Sequence, residues 1–181
     1  MDRNKQIENL PVDDREFFFL LQKLKEHFDE NFRSELDRSL PFADLMFDRW
    51  ERAKHVGFGE GTSVYDSCCI FGKVKVGSNT WVGPFTVLDG SGGLEIGDNC
   101  SISAGVQIYS HDSVQWAISG GKEKYEYAAT SIGNNCYIGP NAIITKGVML
   151  HDNTIVGANS LVKDSLPQGS KIAGSPAKLI Q

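Results

Sequence analysis

The sequence predicts a mainly β chain, a parallel β-helix behind an α-helical N-terminal segment, and three observations predict it. An aliphatic residue returns every sixth position through most of residues 64–162, glycine repeatedly follows it, and residues 13–53 drop that period for apolar spacings of three and four. A helix repeats at 3.6 residues and a strand at 2, so a fixed period of six belongs to neither. It is the period of a stacked solenoid, whose repeats bury their apolar faces only against one another.

The period is cleanest in the C-terminal half, at Ile132, Ile138, Ile144, Leu150, Val156 and Val162. A triangular coil needs three such positions, so the aliphatic residues sort into three columns. The first holds Val64, Val82, Ile102, Ile138 and Val156; the second Ile70, Leu88, Ile108, Ile144 and Val162; the third Val76, Ile96, Ile132 and Leu150. Gly77, Gly83, Gly97, Gly133, Gly139 and Gly157 each follow a column member, as tight corners between short strands require. The period slips twice, after Leu88 and after Ile108, and both slips fall between the second and third columns. Two loops, 89–95 and 112–131, are therefore expected on one edge of the prism, the shorter beneath the start of the longer, like the walls of a site. The longer insertion equals one coil, but Val114, Gly120 and Glu126 would make a poor core, which favours an excursion.

Counting four residues on from the aliphatic positions gives Cys68, Cys100 and Cys136 together with Val, Thr, Ala and Ser. Three of the four cysteines thus fall on a second, small core position, where a reduced thiol acts as a compact hydrophobe. No CxxC spacing occurs, so zinc and redox motifs are not expected.

Ahead of the repeats, Phe17, Leu21, Leu24 and Phe28 share one helical face behind Asp13 or Asp14 as N-cap. A second helix is expected from Pro41, with Phe42, Leu45, Met46 and Trp50 as its core stripe. An open β-helix exposes its terminal coil, so these helices are read as a cover for its N-terminal end. The expected organisation is a helical N-terminal cap over 1–55, the β-helix over 56–166 and a C-terminal tail over 167–181.

The net charge of −5 and the lack of any basic block argue against nucleic acid or an anionic membrane as partner. The longest apolar run, Phe17 to Leu21, is too short to span a bilayer, and the N-terminus lacks a signal peptide's apolar core. A cytoplasmic protein is expected.

Of the four histidines, His27 lies in the first helix, His55 before the repeats and His151 at a corner. His111, in "IYSHDS", stands at the mouth between the two insertions. An imidazole ordinarily titrates near pH ~6.5, so it can take a proton from a hydroxyl or amine near neutrality. Asp89, from the coil beneath, is the preferred carboxylate to orient it, ahead of the adjacent Asp112. Tyr125 and Tyr127 are placed to stack on a sugar face or to pack the long loop down.

The hexads, "GVQIYSHDS" and the ending "LPQGSKIAGSPAKLI" together resemble the hexapeptide-repeat acyltransferases, nearest the galactoside and maltose O-acetyltransferase branch, over roughly residues 60–181. That resemblance implies a left-handed β-helix, a homotrimer, and acetyl-CoA bound between neighbouring subunits. It implies that His111 is the general base and that the acceptor's own hydroxyl or amine is the nucleophile, with no metal. It implies that Gly139, Ala142 and Ala158 hold the pantetheine arm through backbone amides, beside Tyr137 where relatives carry tryptophan. Lys163 and Lys178 would lie near the CoA phosphates, although the chain reads Lys163-Asp164-Ser165 where relatives have T-K-D. The acceptor expected is a carbohydrate or nucleotide-sugar of a surface polysaccharide or glycan. An N-acyltransferase of an amino sugar using another acyl-CoA and a non-catalytic scaffold are the alternatives. A β-helix carbonic anhydrase is disfavoured, since His111 and His151 fall on different edges and no H-x4-H pair exists.

Overall fold

The computed structural model describes residues 2–180, which divide into two compact units between Asp48 and Arg49. The first unit is helical: α1 (Arg3–Glu8), α2 (Val12–Leu36) and α3 (Phe42–Met46). Asp2 caps α1 by accepting from the Asn4 N–H. In α2 the expected caps Asp13 and Asp14 lie inside the first turn, where their charge meets the helix dipole, and Pro11 holds the N-cap position. No residue of α2 is buried, and Phe17 and Leu20 are exposed.

The helix expected from Pro41 is two helices. It stops at Met46, Phe47 is extended, and α4 (Arg49–His55) starts behind Asp48, a residue type that favours N-caps. Trp50 is consequently not core: it is 49% exposed, with the Arg49 guanidinium 4.3 Å from its ring.

The second unit is the β-helix, mainly β and left-handed, of about six turns. Its parallel registers reproduce the three columns. Val64, Val82, Ile102, Ile138 and Val156 lie in one ladder, continued by Ile172. Ile70, Leu88, Ile108, Ile144 and Val162 form the second, and Val76, Ile96, Ile132 and Leu150 the third. All are buried except Ile70, which is partly so, and together they form the core. Cys68, Cys100 and Cys136 are buried with them and unpaired, and burial pushes the Cys68 thiol up to about 11. Below the first coil, α4 buries Ala53, while Arg52 donates to the carbonyls of Tyr65 and Cys68 and pairs with Asp66.

Two devices make the corners. After the third column, the Oδ1 atoms of Asp98, Asn134 and Asp152 accept the backbone N–H of Ser78, Asp98 and Asn134 in the coil beneath. Those oxygens fill the space that a Cβ on Gly77, Gly97 or Gly133 would enter, at 2.2, 2.5 and 2.4 Å, so glycine there makes room for the ladder. Three residues after a column member the chain turns left-handed, at Asn79, Asn99, Asn135, Asn141, Asn153 and Asn159. Asparagine tolerates that conformation. Phe85 occupies the same position at φ 58° and is 61% exposed.

The insertion at 89–95 is not a loop. It lies within one ten-residue strand, Val87–Ile96, paired to Cys69–Val76 with a register shift between Gly72 and Val74. Leu94 turns into the core, fully buried, which gives the extra residues an apolar anchor. The insertion at 112–131 is an excursion, because Ile132 pairs directly with Ile96. It carries α5 (Val114–Ile118), and its roots His111–Asp112 and Glu126–Tyr127 pair antiparallel. Among the described residues no helix is long and apolar enough to cross a membrane.

Candidate active site

The register that stacks Leu88 under Ile108 also stacks the segments that follow them. Asp89 leaves the second column one coil beneath Ser110 and His111, and its side chain is 1% exposed. Its Oδ2 lies 2.6 Å from His111 Nδ1 and accepts from Ser110 N at 2.9 Å, while its Oδ1 accepts from Ser91 N at 3.0 Å. Ser110 Oγ in turn accepts from Gly92 N, which ties the widened strand to the site. Burial pushes the Asp89 carboxyl up, but the hydrogen bonds from Ser91, Ser110 and His111 outweigh it and hold the group well below the usual carboxylate range.

This arrangement fixes the chemistry available to the imidazole. A buried carboxylate only accepts, so Nδ1 donates to it and Nε2 is left with a lone pair. The His111 side chain is 31% exposed, and the Tyr127 ring stacks on it at 5.9 Å and 26°. The Tyr125 ring lies 6.2 Å away, with Trp116 edge-on to it at 5.5 Å. An open cleft of about 420 Å³ beside the imidazole is lined by Tyr109, Asp112, Val114, Thr145 and Lys146.

Asp112, the second expected carboxylate, faces elsewhere. Its Oδ2 pairs with Lys146 Nζ at 2.7 Å and its Oδ1 accepts from Val114 N, the first N–H of α5, so it anchors the excursion. Lys146, Ser110 and Trp116 were not anticipated. Ser110 and Lys146 hold equivalent positions, two residues after Ile108 and Ile144, and that alignment is the signal in the sequence.

The expected donor-binding residues are divided between two corners of the prism. Gly139 and Ala158 stack at the corner after the first column, with Tyr137 exposed on the strand before it. Lys163 stands at the corner after the second column, and Lys178 is exposed on Lys178–Leu179, the last strand. Two of the three expected amides are committed to the solenoid: Gly139 N donates to Val156 O, and Ala142 N donates to Gly139 O with its side chain in the core. Ala158 N–H finds no protein acceptor among the described residues, and Ala158 is exposed. The Ala158 N–H and the side chains of Lys163 and Lys178 are thus open to a ligand, whereas the N–H groups of Gly139 and Ala142 are already paired. Among the described residues no cluster of three metal-ligating side chains forms.

Comparison with known proteins returns the same repeat. Residues 129–164 match the family model described as bacterial transferase hexapeptide (six repeats), and residues 73–110 match the hexapeptide repeat of succinyl-transferase. The bifunctional protein GlmU of Clostridium botulinum is 29% identical over 62% of this chain and 25% of its own length. Galactoside O-acetyltransferase of Escherichia coli is 28% identical over 59% of this chain and 62% of its own. The chain thus spans about a quarter of the first relative and less than two thirds of the second. Among solved structures, AntD, an N-acyltransferase from Bacillus cereus in complex with dTDP and 3-hydroxybutyryl-CoA, superposes with a TM-score of 0.60 at 22% identity. That alignment covers 75% of this chain and 90% of the other. The acetyltransferase domain of PglB from Neisseria gonorrhoeae in complex with acetyl coenzyme A gives 0.55 at 19%, over 68% and 50%.

Proposed function

We propose that this chain, a member of the hexapeptide-repeat family, transfers an acetyl group from acetyl-CoA to a hydroxyl or amine of a sugar or nucleotide-sugar, with His111 as general base. One observation carries the reading. His111 is held by a buried carboxylate through Nδ1 at 2.6 Å, so that Nε2 is a free base at the mouth of a cleft. Acetyl-CoA, as donor substrate, supplies a thioester carbonyl. Nε2 takes the acceptor's proton as its oxygen or nitrogen attacks, and the imidazolium so formed faces the Asp89 carboxylate. The same nitrogen then returns the proton to the departing thiol. The Tyr125 and Tyr127 rings suit the apolar face of a sugar, and Ala158 N–H, Lys163 and Lys178 suit the pantetheine amide and the phosphates of the donor.

His111 and Ala158 occupy different corners of one prism, so a single chain does not bring the base and that amide together. A second copy supplies the missing corner, which supports a homotrimer with its sites between subunits. We place the enzyme in the cytoplasm, in the supply of acylated precursors for a surface polysaccharide or glycan. The relatives named above, one an O-acetyltransferase and one an N-acyltransferase, leave both acceptor atoms in the proposal. A thermal-shift screen with CoA and then nucleotide-sugars, followed by a thiol-release assay, tests it. CoA-dependent stabilisation and acceptor-dependent thiol release are expected, with sedimentation as a trimer. Failure of CoA to stabilise the protein, or a stable monomer at micromolar concentration, refutes the site.

A further inference from the structure

The excursion after His111 is rooted in an antiparallel pair whose registers are His111 with Tyr127 and Asp112 with Glu126. Two carboxylates directly opposite each other repel and weaken such a pair. Lys146, in the next coil, sits against both: its Nζ lies 2.7 Å from Asp112 Oδ2 and bonds the Glu126 carboxylate. We infer that Lys146 is a positioning residue for His111, tying both roots of the excursion to the solenoid and so fixing the imidazole between Asp89 and the Tyr127 ring. The inference rests on the reading of His111 as the base.

Three observations support it. The register pair that Lys146 clamps is the immediate neighbour of the pair that stacks Tyr127 on His111, so slippage of one strand displaces both. The Lys146 side chain is 20% exposed and has two carboxylate partners, unlike an isolated surface ion pair held in water. Finally, the far root has its own attachment: Thr130 Oγ1 donates to Tyr109 O and accepts from Gly147 N, and Ala128 N donates to Ser110 O. Past Ser110 and His111, the outer register pair Asp112–Glu126 is held to the solenoid through Lys146.

The test compares Lys146→Met, Lys146→Arg and Asp112→Asn/Glu126→Gln with and without Lys146→Met. The measurements are hydrogen exchange of residues 112–127, the His111 imidazole signals by NMR (assigned with His111→Ala), acetyl-CoA affinity and kcat for acetyl transfer. Lys146→Met should speed exchange across 112–127 at least tenfold, broaden or shift the imidazole signals, and lower kcat at least tenfold at unchanged acetyl-CoA affinity. Lys146→Arg should restore most of each. In the double-neutral background, which lacks the repulsion, Lys146→Met should lower kcat less than threefold. Unchanged exchange and imidazole signals overturn the inference, and so does faster exchange with an unmoved imidazole and normal kcat. A wild type that acetylates no sugar overturns the acyl-transfer reading instead, and the exchange and imidazole measurements still decide the role of Lys146.

Discussion

Replacing Asp89 by asparagine removes one charge and one acceptor from the centre of the site at almost constant shape. The carboxylate meets N–H donors on both oxygens: Ser91 on Oδ1, Ser110 and His111 on Oδ2. An amide can satisfy only one of those sides. If its oxygen faces His111, its NH2 confronts the Ser91 N–H, and the unmet donors destabilise the fold by about 1–3 kcal/mol. If its nitrogen faces His111, the imidazole must hold its proton on Nε2 and ceases to be a base. The charge adds a further effect on the rate. The imidazolium formed during transfer also loses the carboxylate that faces it, so the rate falls by much of the ~10²–10⁴ that general-base help supplies. Asp89→Asn should therefore lower kcat by ~10³ in a thiol-release assay while acetyl-CoA affinity, measured by calorimetry, stays within about twofold. The pH dependence of stability follows from the lowered carboxyl pKa. The ionised form favours the fold above the unfolded value near ~3.9, and that advantage is lost as pH falls toward the folded value. The stability gap between wild type and variant should thus be flat from pH ~8 to ~5 and narrow below pH ~4 in denaturant titrations. A folded variant with near-normal kcat refutes the pairing as a catalytic device.

His111→Ala should lower acetyl transfer by ~10²–10⁴, toward the upper end for a hydroxyl acceptor, with donor affinity unchanged in the same calorimetric titration. Normal turnover would make the histidine structural. Phe85→Asn places a residue tolerant of positive φ where the bulky ring now sits exposed, and should raise stability by about 1 kcal/mol, seen as a melting-temperature rise of roughly 3 °C. Cys100→Ala truncates a buried thiol that donates to the Gly133 carbonyl, and should cost about 1 kcal/mol in denaturant titrations at near-normal turnover.

The column positions were legible because burial enforces them: a polar residue at Ile138 or Val156 would sit in a core with no water and no spare hydrogen-bond partner. The corners were only half legible. Glycine after an aliphatic residue suggested a tight turn, but the reason it must be glycine at 77, 97 and 133 is an oxygen from a residue 20, 36 or 18 positions later for each bonded N–H. No local pattern contains that partner. The six left-handed asparagines were visible at fixed phase three residues after a column member, a signal that a search for aliphatic periodicity passes over. Residues 89–95 misled because glycine and serine there read as a loop, whereas Leu94 and the neighbouring strand draw them into the sheet. The helix from Pro41 misled for a related reason. Its apolar stripe continued past Phe47, where the backbone turns extended.

For the site, legibility followed the register. Asp89 stands one residue past Leu88 and His111 three past Ile108, which stacks on Leu88, so the same columns that define the core bring the two side chains together. Asp112 could be separated from Asp89 only by side-chain direction, since a strand neighbour points away from the ring while a residue one coil beneath points at it. The proposed donor residues were less legible, because whether an amide can bind a ligand depends on whether the solenoid has already used it. Gly139 and Ala142 look alike in sequence to Ala158, yet their N–H groups are spent on Val156 and Gly139 carbonyls. In a β-helix the backbone is the scaffold, so the amides open to a substrate are those at outer corners that the next coil leaves unpaired. Ala158 N–H meets that condition and those of Gly139 and Ala142 do not, which is why the proposed pantetheine contact falls to Ala158.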